Sequence, residues 1–167
     1  MLEANRHMAG LPQSTTDNLD KQGFCGLSGE AKSRYALPLR FTPGVATTLV
    51  VIGLILQSPI VLGFMALVTL SGALFPRGML IDVMYNLGIR HLFGAPALPP
   101  TPTPRRFSYG ISTVWLAVSA VFFFYRRPFW GFVFGVPVVI GGAILTTTLW
   151  CLGSWIYRLP FWRAAGK

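Results

Sequence analysis

The chain has 167 residues, of which 53% are hydrophobic and only 11% are charged. Soluble domains carry about a quarter charged residues, so a soluble fold of this composition would expose wide apolar surfaces to water. The composition therefore predicts an integral membrane protein. The net charge of +9 fits basic loops that contact anionic lipid headgroups better than a nucleic-acid interface, and we expect no nucleic-acid partner.

Residues 1–39 precede the first apolar run, and they are polar, mixed in charge and rich in turn-forming residues. They contain no apolar core segment, so we predict no signal peptide there. Such a composition lacks the apolar side chains that a packed domain buries. We therefore predict a disordered cytoplasmic arm over residues 1–39.

Two apolar runs follow, at residues 41–56 and 60–75, and a Gln-Ser-Pro segment separates them. Together the runs exceed about 30 residues, which is too long for one membrane span and suits two short ones. Ser58 is placed to cap the second helix, with Pro59 in its first turn. Residues 40–76 are therefore predicted to form a transmembrane helical hairpin.

Residues 77–105 connect this hairpin to the next apolar runs. Asp82, Asn86 and Arg90 recur at i, i+4 and i+8, which places them in one polar stripe on a helix whose other positions are mostly apolar. We expect this amphipathic helix to lie at the cytoplasmic membrane surface. The proline-rich residues 95–104 predict a stiff, extended connector.

Two more apolar runs, at residues 108–125 and 128–155, are separated by a pair of arginines. They predict a second transmembrane hairpin over residues 106–157, because each run is long enough for one span. The remaining residues, 158–167, are predicted to form a basic cytoplasmic tail.

The two predicted hairpins resemble each other in sequence. Residues 40–48 match residues 106–114 at an arginine, a phenylalanine, a hydroxyl residue, a glycine, a β-branched residue and a threonine. Because both segments enter the membrane from the same side, the pattern predicts a parallel internal repeat. The predicted fold is an all-α integral membrane four-helix bundle, made of two related helical hairpins with an interfacial amphipathic helix between them.

Basic residues set the predicted orientation. Most lysines and arginines fall on the side that carries both termini, and only Arg126 and Arg127 fall on the other side. The positive-inside rule then places the N- and C-termini in the cytoplasm, in a multi-pass protein of the inner (cytoplasmic) membrane.

Small residues follow one face of the predicted fourth helix, which we expect to extend to Trp155. Such residues let helix backbones approach closely in lipid. We expect them to pack this helix inside the bundle, and contact with a second copy or a partner subunit stays open. Pro137 is expected to kink the same helix, and a kink beside small residues can open a lipid- or quinone-sized pocket. The small residues are Gly131, Gly135, Gly142, Thr146 and Gly153.

The four apolar runs contain no Asp, Glu, Lys, Arg or His. Ionisable groups inside the membrane mark proton relays, ion paths and many coupling sites, so their absence argues against a pump or an ion-coupled transporter. The sequence also has no zinc-binding spacing, no paired carboxylates and no phosphate-binding glycine loop. We therefore predict no catalytic residues, no metal and no cofactor beyond contact with lipid or quinone.

The chain has two cysteines, Cys25 and Cys151, and the segment Cys151-Leu152-Gly153-Ser154 differs from the Cys-x-x-Cys spacing only in its last residue. In the predicted topology both thiols lie on the cytoplasmic side, where most thiols stay reduced. Cys151 is interpreted as a small buried residue. A redox function would need Cys25 to reach Cys151, and that alternative stays open.

Four segments carry a resemblance to a known family: RFTPG, LGIRHLFG, PRRFSYGI and CLGSWIY. They resemble the DUF4395 family, a domain of unknown function in small bacterial integral membrane proteins, over residues 40–157. The resemblance implies a shared membrane fold, a closing motif that commonly reads Cys-x-Gly-Cys, and a role near thiol or sulfur metabolism beside thioredoxin-like and sulfurtransferase proteins. Here Ser154 replaces the second cysteine, so this motif cannot form an internal disulfide.

Three functional hypotheses follow. The first is a non-catalytic accessory or scaffold subunit of a larger membrane complex, with membrane lipids and other membrane protein subunits as its partners. The second is a membrane partner in thiol-redox or sulfur metabolism that uses Cys151. The third is a small-solute transporter or a lipid-handling protein, which fits the predicted parallel repeat.

Overall fold

The computed structural model describes residues 12–77, 79–93 and 96–157, and these ranges contain helices without any β-strand. The all-α prediction is therefore confirmed for the described part of the chain. A π-helical turn, Tyr85–Ile89, joins the fourth and fifth helices, and a short helical segment covers residues 152–157. The helices in chain order are α1 (Gln13–Lys21), α2 (Gly29–Ile55), α3 (Pro59–Leu74), α4 (Leu80–Met84), α5 (Arg90–Phe93), α6 (Thr103–Phe124) and α7 (Pro128–Thr148).

Helices α2 and α7 pack against each other in antiparallel directions. Leu54, near the end of α2, lies against Gly135, near the start of α7. Gly44, in the middle of α2, lies against Thr146 near the end of α7. The two helices therefore stay in register along much of their length.

Helices α3 and α6 make the equivalent antiparallel contact. The hydroxyl oxygens of Thr69 and Thr113 lie 3.0 Å apart in a hydrogen bond. Arg106, at the start of α6, donates to the carbonyl oxygens of Ala73 and Leu74 at the end of α3, over 3.0 and 2.7 Å. With α2 also touching α3 and α6 touching α7, the α2–α3 turn and the α6–α7 turn lie at the same end of the molecule, which we name the turn end.

The two turns share one backbone geometry. Gln57 and Arg126 both adopt the left-handed conformation, with φ of 48° and 55°. The next amide in each turn, of Ser58 or of Arg127, donates over 2.9 Å to a carbonyl five residues earlier, which is the helix-ending pattern known as the Schellman motif. Ser58 Oγ also accepts from the Val61 amide at 3.4 Å, so the predicted cap of α3 is confirmed.

One apolar core lies between the four long helices. Helices α2, α3 and α6 contribute its buried side chains, Val138 and Val139 of α7 pack against it while partly buried, and Met79 and Ile81 close it from the connecting segment. Its buried members are Val50, Leu54, Leu62, Met65, Ala66, Val68, Met79, Ile81, Tyr109, Leu116, Ala120 and Phe123.

The arm predicted to be disordered contains α1 and the first turns of α2, with a turn-rich segment between them at residues 22–28, while residues 1–11 lie outside the described ranges. Lys32 forms an ion pair with Asp20 at 2.7 Å, which joins α1 to the first turns of α2. A second apolar cluster explains the folding, since it buries side chains that are too widely spaced in sequence to give a periodic signal. The cluster contains Leu19, Phe24, Ala36, Leu39 and Leu149.

Three helices, α2, α6 and α7, are long and apolar enough to cross a membrane. α3 has 16 residues, which corresponds to about 24 Å of helix, somewhat shorter than a bilayer core of about 30 Å. The structure therefore supports the membrane prediction to the extent that three helices could cross a bilayer.

The fourth long helix, α7, ends earlier in the chain than predicted. α7 stops at Thr148, and Leu149 takes the left-handed conformation with φ of 53°. Thr147 and Thr148 donate their hydroxyls back to carbonyls in the preceding turn, which competes with the backbone pattern of a helix. Leu149 is then buried in the second apolar cluster, beside side chains of α1 and α2.

Candidate functional site

A cavity of about 260 Å³ lies between the four long helices, away from the turn end. It is larger than the about 150 Å³ engineered cavity that admits benzene and slightly smaller than the about 300 Å³ at which small-molecule pockets begin. We name this half of the molecule the cavity end. Most of the wall is apolar, with Val50 from α2, Met65 from α3, Leu116 from α6 and Val138 from α7.

Small residues and prolines on facing helices leave this space. Ala46 and Gly141 line the cavity from α2 and α7, and a methyl group added at Gly141 would meet no atom within 4 Å. Pro43 and Pro137 lie inside α2 and α7 and also line the cavity. A proline inside a helix removes one backbone hydrogen bond and crowds the preceding turn, which favours a bend in its own helix beside the cavity.

Arg105 forms the polar end of the cavity, and its side chain is only 3% exposed. Its Nε donates to the Tyr109 hydroxyl at 3.1 Å, and its Nη2 donates to the Leu39 carbonyl at 3.5 Å. The guanidinium carbon also lies 5.9 Å from the centre of the Tyr109 ring, within the range of a cation–π contact. Asp82 attracts Arg105 electrostatically, but within the described ranges no carboxylate is in ion-pair contact with it.

Cys151 lies at the same end of the cavity and is 7% exposed. Its Sγ is 2.9 Å from the hydroxyl oxygen of Ser108, which is one turn along α6 from Arg105. Cys25 is exposed, and both thiols are free. The structure therefore brings Cys151 together with Ser108 and Arg105, and it forms no disulfide between Cys151 and Cys25.

The last two residues of the segment Cys151-Leu152-Gly153-Ser154 have distinct surroundings. Gly153 packs so closely on Ser108 of α6 that an added methyl group would collide with it. Ser154 is buried, and its hydroxyl has no hydrogen-bond partner in the described part of the chain. Because α7 ends at Thr148, the prediction that Gly153 continues the face of the fourth helix is wrong.

The other small residues of the predicted face do lie on α7. Gly131 contacts the Phe123 ring and Gly135 contacts Leu54, so both fill the turn end. Gly142 contacts Thr47 of α2, and Thr146 donates to the Gly142 carbonyl at 2.8 Å. This face therefore meets α6 at its start and α2 along the rest.

Two members of the predicted polar stripe hold neighbouring segments. Asp82 accepts from the Thr42 hydroxyl of α2 at 2.7 Å, and Asn86 Oδ1 accepts from the Leu98 amide at 2.8 Å. Arg90 Nε donates to Nε2 of its neighbour His91 at 3.3 Å. Within the described ranges, then, Asp82 and Asn86 attach the segment to α2 and to the connector.

Sequence reasoning missed Arg105, Ser108 and Tyr109 as site residues. It assigned Arg105 to the connector and counted the apolar run from Ser108. The signal was their spacing of i, i+3 and i+4, which places all three on one face of a helix that begins at Thr103.

It also missed the contact that covers the end of α7. Asn18 and Gln22, one turn apart on α1, donate their side-chain amides to the carbonyls of Thr148 and Leu149. These carbonyls would otherwise lack partners at a helix end. No local sequence signal pairs residues so far apart in the chain.

Comparison with known proteins gives one family. The family model of DUF4395, described as a domain of unknown function, matches residues 37–160. This range contains α2 from Leu37 onward together with α3, α6, α7 and the closing segment, and so every residue that lines the cavity. No curated protein and no solved structure matches the chain.

Proposed function

Since the chain belongs to the DUF4395 family, whose function is unknown, we propose a function from the site itself. The protein is an integral membrane four-helix bundle that holds a small apolar or amphiphilic molecule, taken from the bilayer, in its central cavity. The observation that carries this proposal is the cavity of about 260 Å³ with mostly apolar walls from all four long helices. An apolar ligand group in such a space adds dispersion contacts that the cavity wall otherwise lacks.

The outer surface supports the membrane part of the proposal. Large apolar side chains point outward from each long helix, among them Ile60, which is 81% exposed, and Leu67, Val114 and Ile140. Apolar surface of this extent is unfavourable in water and suits lipid. We propose that α3 is a fourth span beside α2, α6 and α7, with a locally thinned bilayer or Phe75 completing its length.

The proposed orientation keeps both termini in the cytoplasm of a cell with an inner membrane. Arg126 and Arg127 lie at the turn end, whereas the cavity end carries Arg40, Arg105 and Arg106 among others. Exposed Leu80, Met84 and Leu87 on the segment between α3 and α6 support its predicted position at the membrane surface.

The shared turn geometry supports the proposed parallel repeat. Each turn contains a left-handed residue followed by a helix that begins with proline, at Pro59 and at Pro128. The contact of α2 with α7 and the contact of α3 with α6 would be exchanged by a two-fold axis relating the two helix pairs. Two copies of one hairpin would then enclose the cavity between them.

Photo-crosslinking tests the cavity proposal. The purified full chain is placed in phosphatidylcholine vesicles. The probe is a hydrocarbon chain that is derived from a phospholipid and carries a photoreactive diazirine group. The labelled residues are mapped by peptide mass spectrometry. Labels are expected both on the outer surface and on cavity residues such as Leu116 and Val138. Ala46→Phe fills the cavity and should remove only the cavity labels, whereas Ala117→Phe, on the exposed face of α6, should remove neither set.

Cavity labels that survive in Ala46→Phe, or labels confined to the outer surface in the wild-type chain, would contradict the proposal. The surface labels serve as an internal reference in each variant, because they report insertion into the vesicle whether or not the cavity is filled.

Thiol chemistry at Cys151 is a second candidate, favoured by the 2.9 Å contact between its Sγ and Ser108 Oγ at the cavity. The 7% exposure of Cys151 restricts its access to a soluble thioredoxin-like partner. Trapping of a mixed disulfide with such a partner would support this function if Cys151→Ala abolishes it and Cys25→Ala does not. Equal trapping by the wild-type chain, Cys151→Ala and Cys25→Ala would exclude thiol chemistry at Cys151.

The interpretation as a non-catalytic accessory subunit stays a prediction. Isolation from native membranes in mild detergent tests it, because a stable complex would support the interpretation and a lone monomer would count against it.

A further inference from the structure

Arg105 carries a charge that its surroundings only partly satisfy. The side chain is 97% buried, and its hydrogen bonds within the described ranges use Nε and Nη2 only. A guanidinium has five N–H donors, and burying a charge without a counter-charge is unfavourable. Asp82 attracts Arg105 without contacting it and accepts a hydrogen bond from Thr42 instead.

Arg106, the neighbour of Arg105 in sequence, finds protein acceptors for its guanidinium N–H groups. Arg106 occupies the next position on α6 and donates from Nε and Nη2 to the carbonyls that end α3. Arg106 therefore caps a helix at the protein surface, whereas Arg105 points into the cavity. Within the described ranges Nη1 of Arg105 makes no hydrogen bond, so its N–H groups remain available to a ligand in the cavity.

Arg105 lies at one end of the cavity, with Ser108 and Cys151 beside it. The hydroxyl of Ser108 donates to the Pro104 carbonyl at 3.4 Å and lies 2.9 Å from Cys151 Sγ, so Arg105 is the group at this end that can bind an anion. Hydroxyl groups of Thr47, Thr69 and Ser112 also line the cavity. The rest of the wall consists largely of apolar side chains, including Ile111, Leu116 and Leu145. Such walls exclude water, which strengthens any charge interaction at the polar end.

We propose that Arg105 binds the oxyanion headgroup, a carboxylate or a phosphate monoester, of a single-chain amphiphile whose tail fills the rest of the cavity. This inference rests on the proposed function of the cavity and names its ligand class. The guanidinium fork matches the oxygen spacing of either anion, and the bond is charge-assisted on both sides. A volume of about 260 Å³ fits one short or partly inserted chain and excludes a two-chain phospholipid.

The test uses three photoreactive probes with the same diazirine-bearing alkyl chain and different heads: a carboxylate, a phosphate monoester and an uncharged methyl ester. The full chain in phosphatidylcholine vesicles is labelled with each probe, and labels on cavity peptides are counted. The wild-type protein should prefer an anionic probe over the methyl ester by about ten-fold or more, as one charged hydrogen bond is worth at least one order of magnitude in binding.

Arg105→Gln should remove that preference and leave methyl ester labelling unchanged, which also shows that the cavity remains folded. Arg105→Lys should keep part of the preference, because it retains the charge without the fork. Arg106→Gln is the matched control and should keep the full preference.

Each outcome decides one claim. Equal cavity labelling by the anionic and uncharged probes in the wild-type chain overturns the headgroup assignment, whether or not Arg105→Gln folds, and leaves the cavity function standing. An unchanged preference in Arg105→Gln also overturns it. If none of the three probes labels cavity peptides, the proposed function itself fails. The anionic probe that is preferred identifies a carboxylate or a phosphate as the natural head.

Discussion

The turn end and the cavity end are built from the same four helices and are packed in opposite ways. At the turn end, Gly131 and Gly135 admit the Phe123 ring and Leu54, and the Ser119 hydroxyl donates to the Gly131 carbonyl at 2.7 Å. At the cavity end, Gly141 faces empty space. Small residues on one helix therefore bring neighbours together at one end and leave room at the other, so a glycine pattern alone does not distinguish packing from a binding site.

The helix ends differ in the same manner. Both turns at the turn end use local backbone hydrogen bonds and a left-handed residue. At the opposite end, α3 is capped by Arg106 from α6 and α7 by Asn18 and Gln22 from α1. Local sequence thus closes one end, whereas distant side chains close the other, and four experiments test this contrast.

The largest effect is expected from the packed core near the turn end. Leu62 is fully buried, so Leu62→Ala should lower the free energy of unfolding by about 2–5 kcal/mol. Ile60→Ala, on the outward face of the same helix, is the control and should change it far less. Both are measured by tryptophan fluorescence during unfolding in mixed micelles of dodecyl maltoside and dodecyl sulfate. Equal losses of unfolding free energy in Leu62→Ala and Ile60→Ala would mean that Leu62 is not more closely packed than the outward-facing Ile60.

Two glycines on α7 give the next largest difference. A methyl group at Gly131 would lie 2.6 Å from the Phe123 ring, whereas one at Gly141 would meet nothing. Gly131→Ala should destabilise the protein by about 1–3 kcal/mol. Gly141→Ala should stabilise it by about 0.5–1 kcal/mol, because alanine is the better helix former. The same unfolding measurement applies, and a loss of stability in Gly141→Ala would argue that this position is packed.

A smaller effect is expected from the contact between α1 and α7. Gln22 is fully buried and donates to the Leu149 carbonyl. Gln22→Ala should cost about 1 kcal/mol, as for a typical neutral hydrogen bond, and should speed amide hydrogen exchange in residues 13–21. Gln13, which donates to Asp17 on the exposed face of α1, is the matched control. No difference between Gln22→Ala and Gln13→Ala would show that α1 does not hold the end of α7.

The last experiment compares the two thiols and is expected to leave stability nearly unchanged. In single-cysteine variants, exposed Cys25 should react rapidly with a water-soluble maleimide, and buried Cys151 should react only slowly. Mass spectrometry after timed quenching gives both rates. Equal rates would show that water reaches the cavity end freely, which would weaken the case for an apolar ligand there.

The sequence by itself determined the four long helices and their two turns. The apolar runs and the Ser-Pro and Arg-Pro signals place α2, α3, α6 and α7 because runs of apolar residues and helix capping are local features of neighbouring residues. The family resemblance and the all-α architecture also followed from the sequence.

The tertiary structure alone decided where the chain departs from those local signals. α1 folds although its composition favours disorder, because Leu19 and Phe24 find Leu39 and Leu149 in space. α7 ends at Thr148, where Leu149 is buried and its carbonyl oxygen accepts a hydrogen bond from the Gln22 side chain. Arg105, Ser108 and Cys151 become one site only when α6 packs beside the closing segment, and no periodicity along the chain encodes a contact between residues that lie on different elements.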